Sequence, residues 1–212
     1  MTPSPRPPAI VIGSGFGGLA SAVRLQSRGY QVTLLEALEQ AGGRASVFHD
    51  QGFTYDAGPT ILTAPFLLDE LFALNRKKTS DYIRIVPCKP FYRIVWHDGV
   101  SFEYTGNQTE MEGEVRRLAP DDLEGYRRFV GETHAIFQRA FLELADQPFT
   151  HFSDMLRVAP DLIRLRSDRS VWQMACRHVK NQRLREVLSF HPLLVGGNPF
   201  QSSSIYAMIH YL

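Results

Sequence analysis

Two cysteines in 212 residues leave little room for a disulfide framework. Cys88 and Cys176 have no neighbour at metal-ligand spacing, so both are expected as free, buried thiols of a reducing compartment. The seven histidines are scattered without H-E-x-x-H or similar spacing, so no metal site is expected. There is no G-x-S-x-G nucleophile elbow, and no acid–base pair stands out, so no catalytic side chain is nominated. A run of about 18 apolar residues is also missing, which argues against a membrane-spanning helix. Charge of one sign is lacking too. Lys+Arg 23 against Asp+Glu 22 leaves +1, and nucleic acid is not an expected partner. What remains is an ordinary globular composition, 44% hydrophobic and 21% charged, long enough for one or two domains with a sizeable core. Residues 1–8 carry four prolines and read as a flexible leader. Residues 9–23 are too glycine-rich for a signal peptide.

The informative stretch is Ile10-Val-Ile-Gly-Ser-Gly-Phe-Gly-Gly-Leu19. Residues 9–12 are apolar and β-branched, which predicts a buried strand. Gly13, Gly15 and Gly18 follow in the order G-x-G-x-x-G, with Ser14, Phe16 and Gly17 between them. A helix rich in small residues is predicted to Arg28, with Gly29 where a C-terminal cap belongs. Residues 31–35 form the next strand, closed by Glu36 and Ala37. In such a β-α-β unit Gly13 makes the tight turn, Gly15 lets backbone approach a pyrophosphate, and Gly18 allows close helix packing. The pyrophosphate would sit on the helix N-terminus, and Glu36 can accept hydrogen bonds from ribose hydroxyls. The competing reading is an ordinary strand–turn–helix; the strand, helix and well-spaced acid together favour an adenine dinucleotide. An acid at that strand end disfavours a 2′-phosphate, hence NADP. Gly42-Gly43-Arg44 then offers a second backbone turn and a fork of phosphate donors, before Tyr55-Asp56-Ala57-Gly58-Pro59-Thr60.

V-I-G-S-G-F-G-G-L, L-L-E-A, G-G-R and D-A-G-P-T, in this order, resemble the flavin-containing amine oxidase superfamily. Ser189-Phe-His-Pro-Leu-Leu-Val-Gly-Gly-Asn-Pro-Phe200 and Ser203-Ser-Ile-Tyr-Ala-Met-Ile-His-Tyr-Leu212 resemble bacterial carotenoid desaturases of the phytoene desaturase type. The resemblance implies FAD as cofactor, held by Gly13, Ser14, Gly15, Phe16, Gly17, Gly18, Glu36, Ala37, Gly43, Arg44, Gly58, Pro59 and Thr60. It implies an oxidoreductase of carotenoid biosynthesis that takes hydrogen from a polyisoprenoid substrate, in a cytoplasmic protein attached peripherally to a membrane. Proteins of that family are longer, so the chain reads as an N-terminal part that is inactive alone, its missing half supplied in cis or as a separate chain. The alternatives are another flavin oxidase acting on a small amine, or a non-catalytic lipid-binding relative of the same fold.

The expected fold class is α/β: a Rossmann-like FAD-binding domain, incomplete in this chain, with an α+β domain facing substrate and membrane. Residues 61–75 have helical apolar spacing, and the polar run from Asn75 to Ser80 places a boundary near residue 78, giving domains 1–78 and 79–212. Tyr82–Val86, Phe91–Trp96 and Val100–Tyr104 read as strands, the last two joined by an Asp98-Gly99 hairpin turn. Asp121 with Glu124 has the pattern of a capping box. The stripe Leu123, Tyr126, Val130, Phe137, Phe141 and Leu144 predicts a helix of roughly six turns whose aromatics are core. Residues 154–186 hold eight Arg/Lys against four acids among apolar residues. That is the composition of a basic amphipathic segment on an anionic membrane face, or of a solvated helical face. His191 could face substrate or be packed. Ser202–Ser204 offers an N-cap to an apolar helical run from Ile205.

Overall fold

Strand β1 (Pro8–Ile12) runs parallel to β2 (Gln31–Leu35), pairing Pro8 with Gln31 through to Ile12 with Leu35. Helix α1 (Phe16–Ser27) makes the crossover. The structure, a computed structural model, describes residues 5–58 and 61–211. Pro59 and Thr60 lie outside the described residues, as do Met1–Ser4 of the expected leader and Leu212. The chain divides into two units, Met1–Val86 and Pro87–Leu212.

In the first unit α1 ends as its sequence demands. Gly29, at φ +92°, donates to Gln26 O, and Tyr30 N donates to Leu25 O, a Schellman closure. Hairpin strands β3 (Val47–Asp50) and β4 (Phe53–Asp56) turn through Gln51 and Gly52, both at positive φ as a two-residue turn of this hand requires. Helix α2 (Pro65–Ala73) starts on a proline whose missing N–H costs the first turn nothing. An Arg24–Glu70 ion pair of 2.7 Å joins α1 to α2; being half exposed, it adds little stability. The strand expected at Tyr82–Val86 does not form. Thr79–Asp81 instead makes a 3-10 turn, and the Tyr82 ring lies 5.3 Å from that of Phe72 on α2. Tyr82 is thereby held to the first unit, and the division falls at Val86 rather than near residue 78.

Burial in β1 also departs from expectation. Ile10, Val11 and Ile12 are β-branched as suits a buried parallel strand, yet Ile10 and Ile12 are 67% and 85% exposed. With only two strands in this sheet among the described residues, nothing covers the face they point to.

In the second unit β5 (Tyr92–Val95) and β6 (Ser101–Tyr104) form the expected hairpin, with Gly99 at φ +82° and Val100 N donating to Asp98. Then come α3 (Gln108–Leu118), α4 (Leu123–Ile136), α5 (Phe152–Arg164), α6 (Val171–His178) and α7 (Gln182–Ser189). One core gathers Phe102, Val115, Phe129, Ile136, Met174, Leu184 and Leu188, all at most 2% exposed. The capping box expected from Asp121 and Glu124 is absent. Pro120–Asp122 makes a 3-10 turn, and the buried Asp122 carboxylate accepts from Lys180 N (2.9 Å) and Asn181 N (2.6 Å). The helix starts one residue later than the Asp121 pattern has it, and Asp122, which stands at its N-cap, gives its carboxylate to tertiary donors instead of to the helix. The aromatic stripe is core at Tyr126 and Phe137, but the helix does not run on regularly. After Ile136 it widens into a π-helical segment, Phe137–Glu143.

The basic stretch 154–186 is not one amphipathic element. Helices α6 and α7 bury Val171, Met174, Leu184, Val187 and Leu188 in the core. Only α5 turns an apolar face outward. The run from Ile205 lies within a 3-10 helix, Ser204–Tyr211, with the Ser203 hydroxyl accepting from Ile205 N. Both cysteines are free, as expected, but neither is fully buried: Cys88 is exposed and Cys176 half-buried.

Candidate functional site

The site is assembled from three backbone turns of the first unit. The first is the loop between β1 and α1. Gly13 stands at φ +94° and donates to Leu35 O, pinning the loop to the end of β2. At Gly18 any side chain is excluded, because a Cβ would sit 1.9 Å from the Gly13 carbonyl oxygen. The helix can start this close to the turn only with glycine there. Helix α1 has no acidic residue in its first turn. The N–H groups of Phe16, Gly17 and Gly18 precede the first intrahelical bond, Leu19 N to Gly15 O, and with the helix dipole they favour an anion.

The second turn is Glu36-Ala37-Leu38, at the end of β2. Glu36 Oε2 accepts from Ser14 N (2.7 Å) and Ser14 Oγ (2.5 Å). Its Oε1 accepts from Ala37 N (2.9 Å) and Leu38 N (3.0 Å). The Ser14 hydroxyl first, then these backbone N–H groups, hold the carboxyl at a pKa of about 2, so it is ionised at any physiological pH. The third turn is Gly42-Gly43-Arg44. Gly42 N donates to Ser14 O (3.0 Å), and a Cβ on Gly43 would lie 3.2 Å from Gly15 Cα. The two glycine turns therefore touch backbone to backbone. Ala57 N donates to Ser46 O, and Gly58 packs on the Arg44 carbonyl, which brings the D-A-G segment to the same place.

Of the residues expected at the site, Gly13, Ser14, Gly15, Gly18, Glu36, Ala37, Gly43 and Gly58 are thus brought into one constellation. Phe16 and Gly17 open α1 and are exposed, and so is Arg44. Pro59 and Thr60 lie outside the described residues. Gly42 and Leu38 belong to the constellation although neither was among the nominated ligand residues. The paired glycines at 42–43 carried the signal for the first; nothing in Leu38 signals a backbone contact. Free N–H donors at a helix start beside an ionised acceptor at a strand end match a pyrophosphate and a ribose diol respectively. Arg44 is a candidate to hold phosphate, and these residues fit a dinucleotide. No group of His, Cys, Asp and Glu able to hold a metal occurs among the described residues.

Two neighbouring clefts among the described residues of the second unit carry several charged side chains in their walls. One, of 370 Å³, is lined by Gln138, Arg139, Glu143, Asp161 and Arg164 among others; a neighbouring one of 250 Å³ adds Asp154 and Arg157. Arg139 pairs with Asp161 and with Glu143 between them. His191 is buried, as the packed reading had it, against Tyr104, Phe190 and His210.

The fold is that of flavin oxidases. A solved putrescine oxidase with putrescine bound superposes with a TM-score of 0.52, covering 96% of this chain and 40% of that one at 20% identity. The family model for flavin containing amine oxidoreductase matches residues 16–212, and the chain belongs to that family. Membership implies a flavin as cofactor. Within it the chain is 49% identical over 203 residues to a lycopene-forming phytoene desaturase of Pseudescherichia vulneris, covering 96% of this chain and 41% of that protein. It is also 49% identical over 205 residues to a protein of the same description from Pantoea ananas, covering 97% and 42% respectively. The chain therefore spans about two-fifths of the length of these relatives.

Proposed function

We propose that this chain is the nucleotide-binding and substrate-facing portion of an FAD-dependent desaturase acting on a polyisoprenoid such as phytoene. The observation that carries the reading is the joining of two turns at Ser14: its N–H and hydroxyl hold Glu36, and its carbonyl holds Gly42. Identity of 49% to phytoene desaturases supports the substrate class. The N–H groups that open α1, with Arg44, would hold the pyrophosphate, and Glu36 would take the ribose. When bound, the flavin supplies the hydride acceptor that making a double bond requires. The chain's own part is to fix the adenosine end and leave the reacting end to apolar surroundings.

The exposed strand residues Ile10, Ile12 and Leu35 share one face of the β1–β2 pair, which further sequence, in cis or as a separate chain, would cover. Desaturation is expected only with that remainder present. The test is to give residues 1–212 FAD and phytoene-loaded liposomes and follow coloured polyene by absorbance, with and without a C-terminal half from a relative. Colour from the isolated chain overturns the dependence on further sequence. No colour from the pair, with flavin bound, overturns the substrate class in favour of a small-amine oxidase. Failure of the pair to take up flavin at all favours a lipid-binding relative.

Membrane contact is part of the same reading, for a cytoplasmic protein whose substrate dissolves only in lipid. Its support is α5. Phe152 and Ile163 are 78% and 76% exposed, Leu156 is exposed beside them, and Arg157 and Arg164 flank that face. This is how an interfacial helix is built. Changing Arg157 and Arg164 to Gln should weaken co-sedimentation with anionic vesicles roughly fivefold per charge at low salt. Binding that is insensitive to both substitutions and to salt leaves α5 a solvated surface.

A further inference from the structure

Among the described residues of the first unit, Ser14 is the only buried polar side chain besides Thr79, and it is 1% exposed. Its hydroxyl is spent on Glu36 Oε2, which already accepts from the Ser14 N–H. Glu36 Oε1 is occupied in the same way by Ala37 N and Leu38 N. An ionised carboxylate presents about four lone-pair positions, and here four protein donors fill them. A ribose diol approaching Glu36 therefore meets an acceptor with no vacancy. Three of the four donors are backbone N–H groups fixed by the turns that carry them. Only the Ser14 hydroxyl can leave, by rotation about a single bond.

We infer that the Ser14 hydroxyl is a placeholder, sitting on Glu36 where a ribose hydroxyl is to donate and rotating away when a nucleotide enters. The inference rests on the nucleotide reading of this site and adds the residue that ligand binding has to displace. A placeholder and a positioning residue predict opposite signs. If Ser14 served to aim the carboxylate, removing its hydroxyl would loosen Glu36 and weaken binding. As a placeholder it competes with the ligand. Removing it leaves one position on Glu36 open to water, which the ribose displaces more readily than a buried hydroxyl that loses its partner. Glu36 itself stays aimed by the three N–H groups.

The experiment is a calorimetric titration of the full chain with ADP and, separately, with 2′,3′-dideoxy-ADP, which has no hydroxyl to give Glu36. Ser14→Ala is expected to bind ADP roughly fivefold more tightly than wild type, the size of one modest competing hydrogen bond. Its affinity for the dideoxy compound is expected to be unchanged. Ser14→Cys keeps the buried volume filled with a weaker donor. It should move ADP affinity the same way by less, and it guards against a packing defect in the alanine variant. ADP affinity that falls or stays level in both variants overturns the placeholder. An equal gain for both nucleotides also overturns it, since the effect then bypasses the ribose hydroxyls. Wild-type and variant chains that bind neither nucleotide overturn the nucleotide reading, and the placeholder falls with it.

Discussion

The two units of this chain spend similar residues in opposite ways. In Pro87–Leu212, aromatic and aliphatic side chains close over one another, and Phe102, Val115, Phe129, Ile136 and Leu188 are wholly buried. In Met1–Val86, the described apolar residues of β1, β2 and their surroundings remain in contact with solvent, and the groups that are buried there are the polar Ser14 and Thr79. The difference separates two kinds of order. The second unit is held by its core. The first is held by backbone: a parallel strand pair, three turns hydrogen-bonded through Ser14, and glycines that let main chain touch main chain. Such a framework can present nucleotide-binding groups without being independently stable, because a parallel sheet needs both faces covered.

The sharpest way to break this comparison is by truncation. Phe129→Ala or Leu188→Ala should cost about 2–5 kcal/mol in denaturant unfolding of the second unit. Ile12→Ala, at an exposed position, should change stability by about 0.5 kcal/mol or less. Comparable losses at Ile12 and Leu188 would mean that β1 is covered in solution.

Acid should also act on the two units in different ranges. Burial pushes His210 down to about 4, and its neighbour His191 lies well below the ordinary histidine range for the same reason. Both are lowered in the folded state, so their neutral forms favour folding. Their contribution is fully present above about pH 6.5 and is lost as pH falls from there towards 4. For His210 the shift from 6.5 to about 4 corresponds to roughly 3 kcal/mol. Thermal unfolding of the second unit should therefore fall steeply between pH 6.5 and 4. His191→Leu, which removes two buried ring nitrogens that have no hydrogen-bond partner, should flatten that slope. Glu36 is lowered instead to about 2, so its contribution is present above its unfolded value near 4.5 and is lost only below that. A first unit that loosens together with the second at pH 6 would contradict this division.

Smaller effects test the site and one turn. Glu36→Arg should weaken FAD binding about tenfold or more, by replacing an acceptor with a bulky donor; equal dissociation constants remove Glu36 from the site. Arg166, at φ +53° just after α5, closes that helix with Arg166 N on Ile163 O and Ser167 N on Leu162 O. Glycine is the usual residue in that conformation. Arg166→Gly should stabilise the chain by about 0.5 kcal/mol, the relief of strain exceeding the added unfolded-state entropy.

How far the sequence could be read follows the same divide. The glycine turns, the acid after β2, the Gly29 cap and the Asp98-Gly99 hairpin were all legible, because each is dictated by local backbone geometry. Ile83 and Ile85 have the β-branching of a strand, but a strand needs a partner, and the Phe72–Tyr82 contact draws that segment elsewhere. Asp121 and Glu124 have the spacing of a cap, and Asp122 is instead recruited by the α6–α7 turn, 58 residues away in sequence. The exposure of Ile10 and Ile12 was illegible for a related reason: burial of a strand depends on its neighbours, and the composition of β1 suits a covered strand whether or not one covers it. The hydroxyl of Ser14 on Glu36 was likewise hidden: position 14 was expected to contact the cofactor, and nothing in a serine between glycines pairs its side chain with an acid 22 residues away.

The most direct test is amide hydrogen exchange across the whole chain, with and without FAD. Without it, amides around Val115, Phe129 and Leu188 should exchange slowly and those of β1 and β2 quickly. With FAD, protection should rise at Ser14, Phe16–Gly18 and Gly42–Arg44 and stay level throughout the second unit's core. Exchange at those turns that FAD leaves unchanged, or β1 and β2 amides already as slow as the core without it, would contradict the account.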